Sequence, residues 1–295
     1  MWVLSSGSLR RPFLVSAIFL AAAFVFTPFA LASTLSIRID TTMEVTGERL
    51  RAKIRYTNNG TATAGSAQAH LTLLGESFSG SVTERLGPGE TDVAEFELLL
   101  EGTSGSRYPF IVYVDFKDGN NYPFSALSCG TVSFGGEVPG GIECEGSDTG
   151  LSDHGNVDFV VTNNGDATVE ISAGLVLPRE FVSSGTIRKI GLDPGATTSF
   201  HFKVNNSTAL PGASYPVFCV VEYQLDGRHG SAVGTAMVTV EASDTLFRRF
   251  RPAVTAVFVF TGLLLIWISA LGAYRRLTGG SRESRRGHEP DADYL

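Results

Sequence analysis

The segment "RYTNNGTAT" at 55–63 returns as "VVTNNGDAT" at 160–168. "LGPGET" at 86–91 returns as "LDPGAT" at 192–197, and "SRYPFIVYVDFKDG" at 106–119 returns as "ASYPVFCVVEYQLDG" at 213–227. The pieces keep their order, and each second copy lies 105 to 107 positions after its first. A period near one hundred is too long for a solenoid unit, which runs roughly 20–50 residues, and is the length of a small domain. The chain is therefore expected to fold as two like-built domains in tandem.

Within each copy the hydrophobic period is two. Leu50, Ala52, Ile54 and Tyr56 alternate with Arg49, Arg51, Lys53 and Arg55. Ala94, Phe96, Leu98 and Leu100 alternate with Val93, Glu95, Glu97 and Leu99, and Phe110, Val112, Val114 and Phe116 with Ile111, Tyr113 and Asp115. Such alternation puts one face of a strand in a core and the other in water. Short strands separated by Gly, Pro, Asn and Asp within about 100 residues predict an all-β fold of antiparallel sandwiches.

The repeated motifs sit where turns are needed. "TNNG" is read as a strand end whose Asn and Gly tolerate left-handed backbone angles. "GPGE" and "DPGA" place Pro before Gly as a type II turn requires. Asp118-Gly119 and Asp226-Gly227 suit two-residue hairpins between the last two strands of each copy. The prolines after Tyr108 and Tyr215 are expected to precede their strands, where a missing N–H is tolerated.

"TNNGxA", the later "L-x-PG-x-T" and the closing hairpin resemble the CARDB-type and alpha-galactosidase-associated immunoglobulin-like modules of prokaryotic envelope and secreted proteins. The resemblance covers both copies and implies two immunoglobulin-like antiparallel β-sandwiches in tandem. It further implies adhesive, spacer or protein-binding roles without catalytic residues. Trp2 and Trp267 both lie outside the two copies, so an antibody-type Cys–Trp–Cys core is not part of the pattern, and the strand topology stays open.

The ends read differently. The first 32 residues contain no Asp or Glu; Arg10 and Arg11 precede an apolar run, and Ala30-Leu31-Ala32 forms a small-x-small cleavage site before Ser33. This is the layout of a secretory signal peptide, with an uncleaved anchor as the alternative. "PAVTAVFVFTGLLLIWISALGAY" at 252–274 carries no charge. At 1.5 Å per residue it spans the roughly 30 Å hydrocarbon core as a transmembrane helix. A signal peptide would place the copies outside the membrane. Arg275, Arg276, Arg282, Arg285 and Arg286 suit a cytoplasmic flank, whereas Arg248, Arg249 and Arg251 before the span weigh against it. The expected organisation is a signal peptide at 1–32, sandwiches at 33–134 and 142–242, and a short Gly-rich linker at 135–141 that lets them swing but keeps them close. A stalk at 243–251, the helix at 252–274 and a cytoplasmic tail at 275–295 complete it.

The formal net charge is −7, and the ends carry an excess of Arg, so the two copies are more acidic than the total. That balance excludes nucleic acid and anionic lipid surfaces as natural partners of the copies. Arg49, Arg51, Lys53 and Arg55, with Arg38, form a basic stripe. It either binds an acidic polymer or pairs across strands with Glu95, Glu97 and Glu101, and the pairing is the better fit because Asp158 stands where Lys53 stands.

Cys129, Cys144 and Cys219 are an odd set for an oxidising compartment. Cys144 and Cys219 both alternate inward in the second copy and are the first choice for a disulfide. Cys129–Cys144 is the second, and three free thiols the remaining possibility. No CxxC is present and no His lies near a Cys in sequence, so neither a metal nor a cofactor is expected. His70, His154, His201, His229 and His288 make no catalytic spacing, "DFKDGNN" lacks the ligand pattern of a calcium loop, and no enzyme is expected. Asn59, Asn205 and Asn206 match the glycosylation sequon.

The function expected is that of a non-catalytic, single-pass envelope protein. It would display its two domains for protein binding, adhesion or spacing to an envelope protein not identified by the sequence, with the bilayer engaged through 252–274. An accessory subunit of an export or polysaccharide-assembly complex is one alternative; "FRRFR" and Gly262, Ala270, Gly272 and Ala273 suit helix packing. A carbohydrate-binding module is the other, disfavoured because no Trp lies between 33 and 247.

Overall fold

The computed structural model describes residues 34–99, 103–135, 141–184, 187–241 and 246–279. The expected signal peptide, residues 136–140 of the linker, 243–245 of the stalk and the tail from 280 onward lie outside the described residues. The first half holds β1 (Ile37–Thr46), β2 (Arg49–Asn58), β3 (Ala64–Leu73), β4 (Glu76–Leu86), β5 (Thr91–Leu99), β6 (Ser106–Lys117) and β7 (Pro123–Phe134). The second holds β8 (Ile142–Ser147), β9 (Thr149–Leu151), β10 (His154–Asn163), β11 (Val169–Val176), β12 (Phe181–Ser183), β13 (Ile187–Leu192), β14 (Thr197–Asn206), β15 (Ser214–Leu225) and β16 (Arg228–Val240).

Each half is a pair of sheets closed over its own core. In the first, the sheet β1-β2-β5 faces β4-β3-β6-β7. In the second, β12-β14-β10-β8 faces β13-β11-β15-β16-β9. The shared part has one strand order: β1-β2-β5 matches β8-β10-β14, and β4-β3-β6-β7 matches β13-β11-β15-β16. The second half adds β12 beyond β14, and β9 parallel to β16. Leu50, Ala52, Ile54 and Tyr56 on β2 are buried while Arg49, Arg51, Lys53 and Arg55 are exposed, as the alternation requires. Val157, Phe159 and Val161 do the same for β10. Each large apolar side chain so buried contributes about 1.5–3 kcal/mol relative to exposure.

The repeated "TNNG" works through a side chain, not through backbone angles. None of its residues is among the described residues with positive φ. Asn58 is fully buried; its Nδ2 donates to the carbonyls of Ala62 and Leu86, and its Oδ1 accepts from the Gly60 N–H. Asn163 repeats the set, donating to Ala167 and Leu192 and accepting from Gly165. The backbone of each Asn also clasps the Pro-Gly turn: Asn58 N donates to Glu90 O and Gly89 N to Asn58 O, as Asn163 N does to Ala196 O and Gly195 N to Asn163 O. One buried amide thus ties two loops to one strand end, which explains why the motif recurs with the turn. Gly60 is required for space: a Cβ there would lie 2.2 Å from Thr34 O.

Both Pro-Gly turns are type II, with Gly89 at φ 75° and Gly195 at φ 72° and the closing bonds Glu90 N to Gly87 O and Ala196 N to Asp193 O. The hairpins differ from each other. Asp226 and Gly227 both have positive φ and form the expected two-residue turn between paired Leu225 and Arg228. Asp118-Gly119 does not: Lys117 pairs with Pro123, leaving a five-residue loop 118–122. There the Asp118 carboxylate accepts from the N–H groups of Asn120 and Tyr122, and Asn121 takes the positive φ. The prolines lie inside their strands instead of ahead of them: Pro109 pairs with Thr131 and Pro216 with Met237. Both are tolerated because the strand on the other side has already ended, β3 pairing with β6 only from Phe110 and β11 with β15 only from Phe218.

The remaining element is α1 (Leu246–Gly279), which begins earlier than expected and takes in most of the predicted stalk. Its stretch 255–272 has a mean hydropathy of 2.1 and is long and apolar enough to cross a membrane. Thr261 and Ser269 donate their hydroxyls to the carbonyls of Val257 and Leu265, hiding their polar groups against the helix.

Candidate functional site

The face of β6 that alternation assigns to water is covered. Residues 177–180, which leave β11 and lead into β12, clasp β6 and β7 of the first sandwich. Tyr113 donates its hydroxyl to Leu177 O at 2.8 Å, and Arg179 N donates to Ser125 Oγ at 3.0 Å. The Arg179 guanidinium lies 5.5 Å from the Tyr113 ring centre and 2.8 Å from Asp115 Oδ2, to which His70 Nε2 also approaches at 3.3 Å. Glu180 is 2 % exposed, so its carboxylate must be satisfied by protein. Ser125 does this twice, N to Oε1 at 2.8 Å and Oγ to Oε2 at 2.9 Å. The Glu180 carbonyl is held within the second sandwich by the N–H groups of Ser207 and Thr208. Burial pushes the Tyr113 phenol up to about 12, so it stays a donor across the ordinary pH range.

A second set of contacts closes the other side. The rings of Tyr108 and His229 stack at 4.7 Å with 9° between planes. His229 N donates to Ser106 Oγ and Ser231 Oγ to Arg107 O, both at 3.1 Å. Ser106 and Ser231 are both buried. Leu127, Phe218 and Val220 are buried but belong to neither core; they lie on the faces of β7 and β15 that the two sandwiches turn toward each other. The two halves accordingly fall within one compact unit and lie close, as the short linker requires. A cleft of about 600 Å³ remains at this junction, lined by Leu73, Pro109 and Ile111 from one side and Leu175, Val220 and His229 from the other.

The cysteines are free thiols in this structure. Cys144 and Cys219 come together: a hydrogen bond joins their thiols across the second core. That bond and the Gly234 N–H hold the Cys144 thiol below its ordinary range, while the same bond and burial push Cys219 up. Cys129, on β7, is not in this pair, and burial pushes its thiol up.

Most of the basic stripe is paired on its own sheet, Arg55 standing opposite Val93, and Glu101 lies outside the described residues. Lys53 Nζ lies 2.9 Å from Glu95 Oε1, and Arg49 and Arg51 both reach Glu97 at 3.5 and 4.0 Å. Arg38 pairs with Asp40 on its own strand at 3.0 Å. In the second sandwich Asp158 and His201 occupy the positions of Lys53 and Glu95 and face each other at 2.8 Å, with the carboxylate now on the other strand of the pair. Exposed pairs of this kind add little to stability, because water and salt screen them.

Of the sequon residues, Asn59 is exposed. Asn206 is committed to the fold: its Nδ2 donates to Ser152 O and Ala209 O, and its Oδ1 accepts from Ala209 N. Asn205 is half-buried and pairs with His154 in the sheet. Among the described residues no group of three or more His, Cys, Asp or Glu is placed to hold a metal. His288 lies outside the described residues.

Sequence reasoning missed the clasp, although two signals were present. "VFCVV" on β15 is buried at every residue from Val217 to Val221, which marks a strand covered on both faces. Ile111 and Tyr113 are large apolar-bodied residues on a face assigned to water. It also missed the satisfied tip of Tyr56, whose hydroxyl donates to Asp92 Oδ2 at 2.8 Å beside Thr83, which bonds the same oxygen. Burial works against the Asp92 charge, but the bonds from Thr83, Tyr56 and Val93 N hold its carboxyl below the usual range.

No family model matches the chain, and no curated protein matches it. Among solved structures it is similar to the native conformation of E. coli alpha-2-macroglobulin, at 11% identity and a TM-score of 0.28 over 70% of this chain and 17% of that one. It is similar to red sea bream transglutaminase at 10% identity and a TM-score of 0.27, over 70% of this chain and 31% of that one. Salmonella alpha-2-macroglobulin reacted with methylamine gives 10% identity and a TM-score of 0.28, over 70% and 16%. The chain spans under a third of the length of each. Superpositions this weak transfer neither fold nor activity to this chain.

Proposed function

We propose that this chain is a non-catalytic, single-pass envelope protein whose two immunoglobulin-like sandwiches, a tandem pair of the CARDB kind, stand outside the membrane as one stiff body for protein binding or spacing. The clasp by residues 177–180 carries the reading. A buried carboxylate, a guanidinium stacked on a tyrosine and a set of buried serines across a junction hold two domains at one angle, as a spacer or display platform needs and a flexible tether does not. The apolar stretch of α1 supports anchoring in a bilayer, and the apolar run before Ala30-Leu31-Ala32 supports export. Val182 and Ile187, 57% and 67% exposed on the edge strands β12 and β13, support contact with another protein. A glycan platform has little support: Tyr122 is the one large aromatic well exposed on the described strands and their loops.

The experiment is protease shaving of intact cells, followed by photocrosslinking from position 187. The reading expects release of a stable fragment holding both sandwiches and capture of a discrete protein partner. A chain untouched by external protease contradicts the topology. A stoichiometric membrane-embedded partner that co-purifies in mild detergent and contacts only the helix favours an accessory subunit instead.

A further inference from the structure

We propose that Cys144 and Cys219 are a disulfide site, a covalent tie between the two sheets of the second sandwich that is closed by exchange with a dithiol oxidase of the envelope. Cys144 is on β8 and Cys219 on β15, strands of opposite sheets. Their thiols are already in hydrogen-bond contact. The residue paired with Cys219 on β16 is Gly234, and a Cβ there would lie 2.5 Å from Cys144 Sγ. Gly234 is thus the gap into which Cys144 fits; a side chain at that position would collide with both the sulfur and the backbone of Cys144.

Access orders the chemistry. Cys219 is fully buried, whereas Cys144 is partly exposed at the wall of a cleft of about 510 Å³. Cys144 loses its proton to water, and its thiolate attacks one sulfur of the oxidase disulfide. That S–S bond breaks and the far sulfur leaves as a thiolate. Cys219 then loses its proton, its sulfur attacks Cys144 Sγ, and the second oxidase sulfur leaves. Two protein thiols are oxidised by two electrons in all, and one oxidase disulfide is reduced to a dithiol. The Cys219 S–H and the Gly234 N–H stabilise the attacking thiolate, which fits Cys144 to the first step. Cys129 lines the same cleft and is left as the odd thiol.

The oxidation in cells rests on the extracytoplasmic reading above; the geometry does not. Two arms keep them apart. In the first, the full chain is alkylated in intact cells and mapped by non-reducing peptide mass spectrometry, with a linked Cys144–Cys219 peptide and an alkylated Cys129 expected. In the second, the purified full chain is reduced and then treated with oxidised glutathione, and the same linkage is expected. Reducing the linked chain should lower its unfolding midpoint by roughly 10 °C. Cys129→Ser should leave the linkage intact, and Gly234→Val should slow its formation at least tenfold while thermal melting reports whether that variant folds. A Cys129–Cys144 linkage in either arm overturns the proposal, as does failure to form any linkage with oxidised glutathione. Linkage in the second arm but not in cells leaves the site standing and removes the export reading.

Discussion

Replacing Asn58 tests whether the repeated motif acts through its side chain. The Asn58 amide is fully buried and serves three partners: the carbonyls of Ala62 and Leu86 and the N–H of Gly60. Asn58→Ala strands all three. At about 1 kcal/mol for each bond, with the stranded groups out of reach of bulk water, the loss is about 3 kcal/mol. At about 2–4 °C per kcal/mol for a body of this size, the midpoint should fall by about 6–12 °C in a thermal melt followed by circular dichroism. Asn58→Asp should be worse than Ala, because lone pairs replace the two donors that face carbonyl oxygens. Asn59→Ala, at an exposed neighbour, should change stability by less than about 0.5 kcal/mol. Asn163→Ala should repeat the Asn58→Ala result in the second sandwich. The decisive variant is Asn58→Gly. If the motif served left-handed backbone angles, Gly would be at least as good as Asn; a midpoint for Asn58→Gly within 1–2 °C of the parent would refute the side-chain account.

Three further outcomes are expected. Glu180→Ala leaves the N–H and hydroxyl of buried Ser125 without an acceptor and should cost about 2–4 kcal/mol of coupling. Calorimetry should then resolve two transitions where the parent shows one. Asp92 has a folded pKa below its unfolded value, so its stabilisation is full above roughly pH 4 and is lost as pH falls through the folded pKa. The stability gap between the parent and Asp92→Asn, read from denaturant melts, should therefore be flat near neutrality and shrink in acid; a gap that widens in acid is the contrary result. A double-mutant cycle on Lys53 and Glu95 should give only a weak coupling, diminished further by salt, despite their 2.9 Å separation; a strong coupling that salt leaves unchanged is the contrary result.

The fold was more legible than the junction for a physical reason. Alternation on β2 or β10 follows from a two-sheet core that each copy builds with its own residues, so local pattern suffices. The Pro-Gly turns are equally local, since Pro and Gly restrict their own angles. Asp118-Gly119 and Asp226-Gly227 show where that logic ends: the same dipeptide makes a two-residue turn in one place and a five-residue loop in the other. Asp118 has backbone N–H groups at 120 and 122 to bond, and these draw the loop wider. Residues 177–180 carry no periodicity, and their partners Tyr113, Asp115 and Ser125 lie more than fifty positions away, so nothing in "LPRE" announces a clasp. The Cys144–Cys219 contact was reachable because both residues sat on inward positions of strands already recognised. Gly234, which makes room for it, was not, because the role of a missing side chain shows only against its neighbours.

The most direct test of the central claim is ¹⁵N spin relaxation on residues 34–241. Strands of the two sandwiches should report one common rotational diffusion tensor, that of a single body. Separate and shorter correlation times for residues 37–134 and 142–240 would show two domains reorienting independently and would contradict the account.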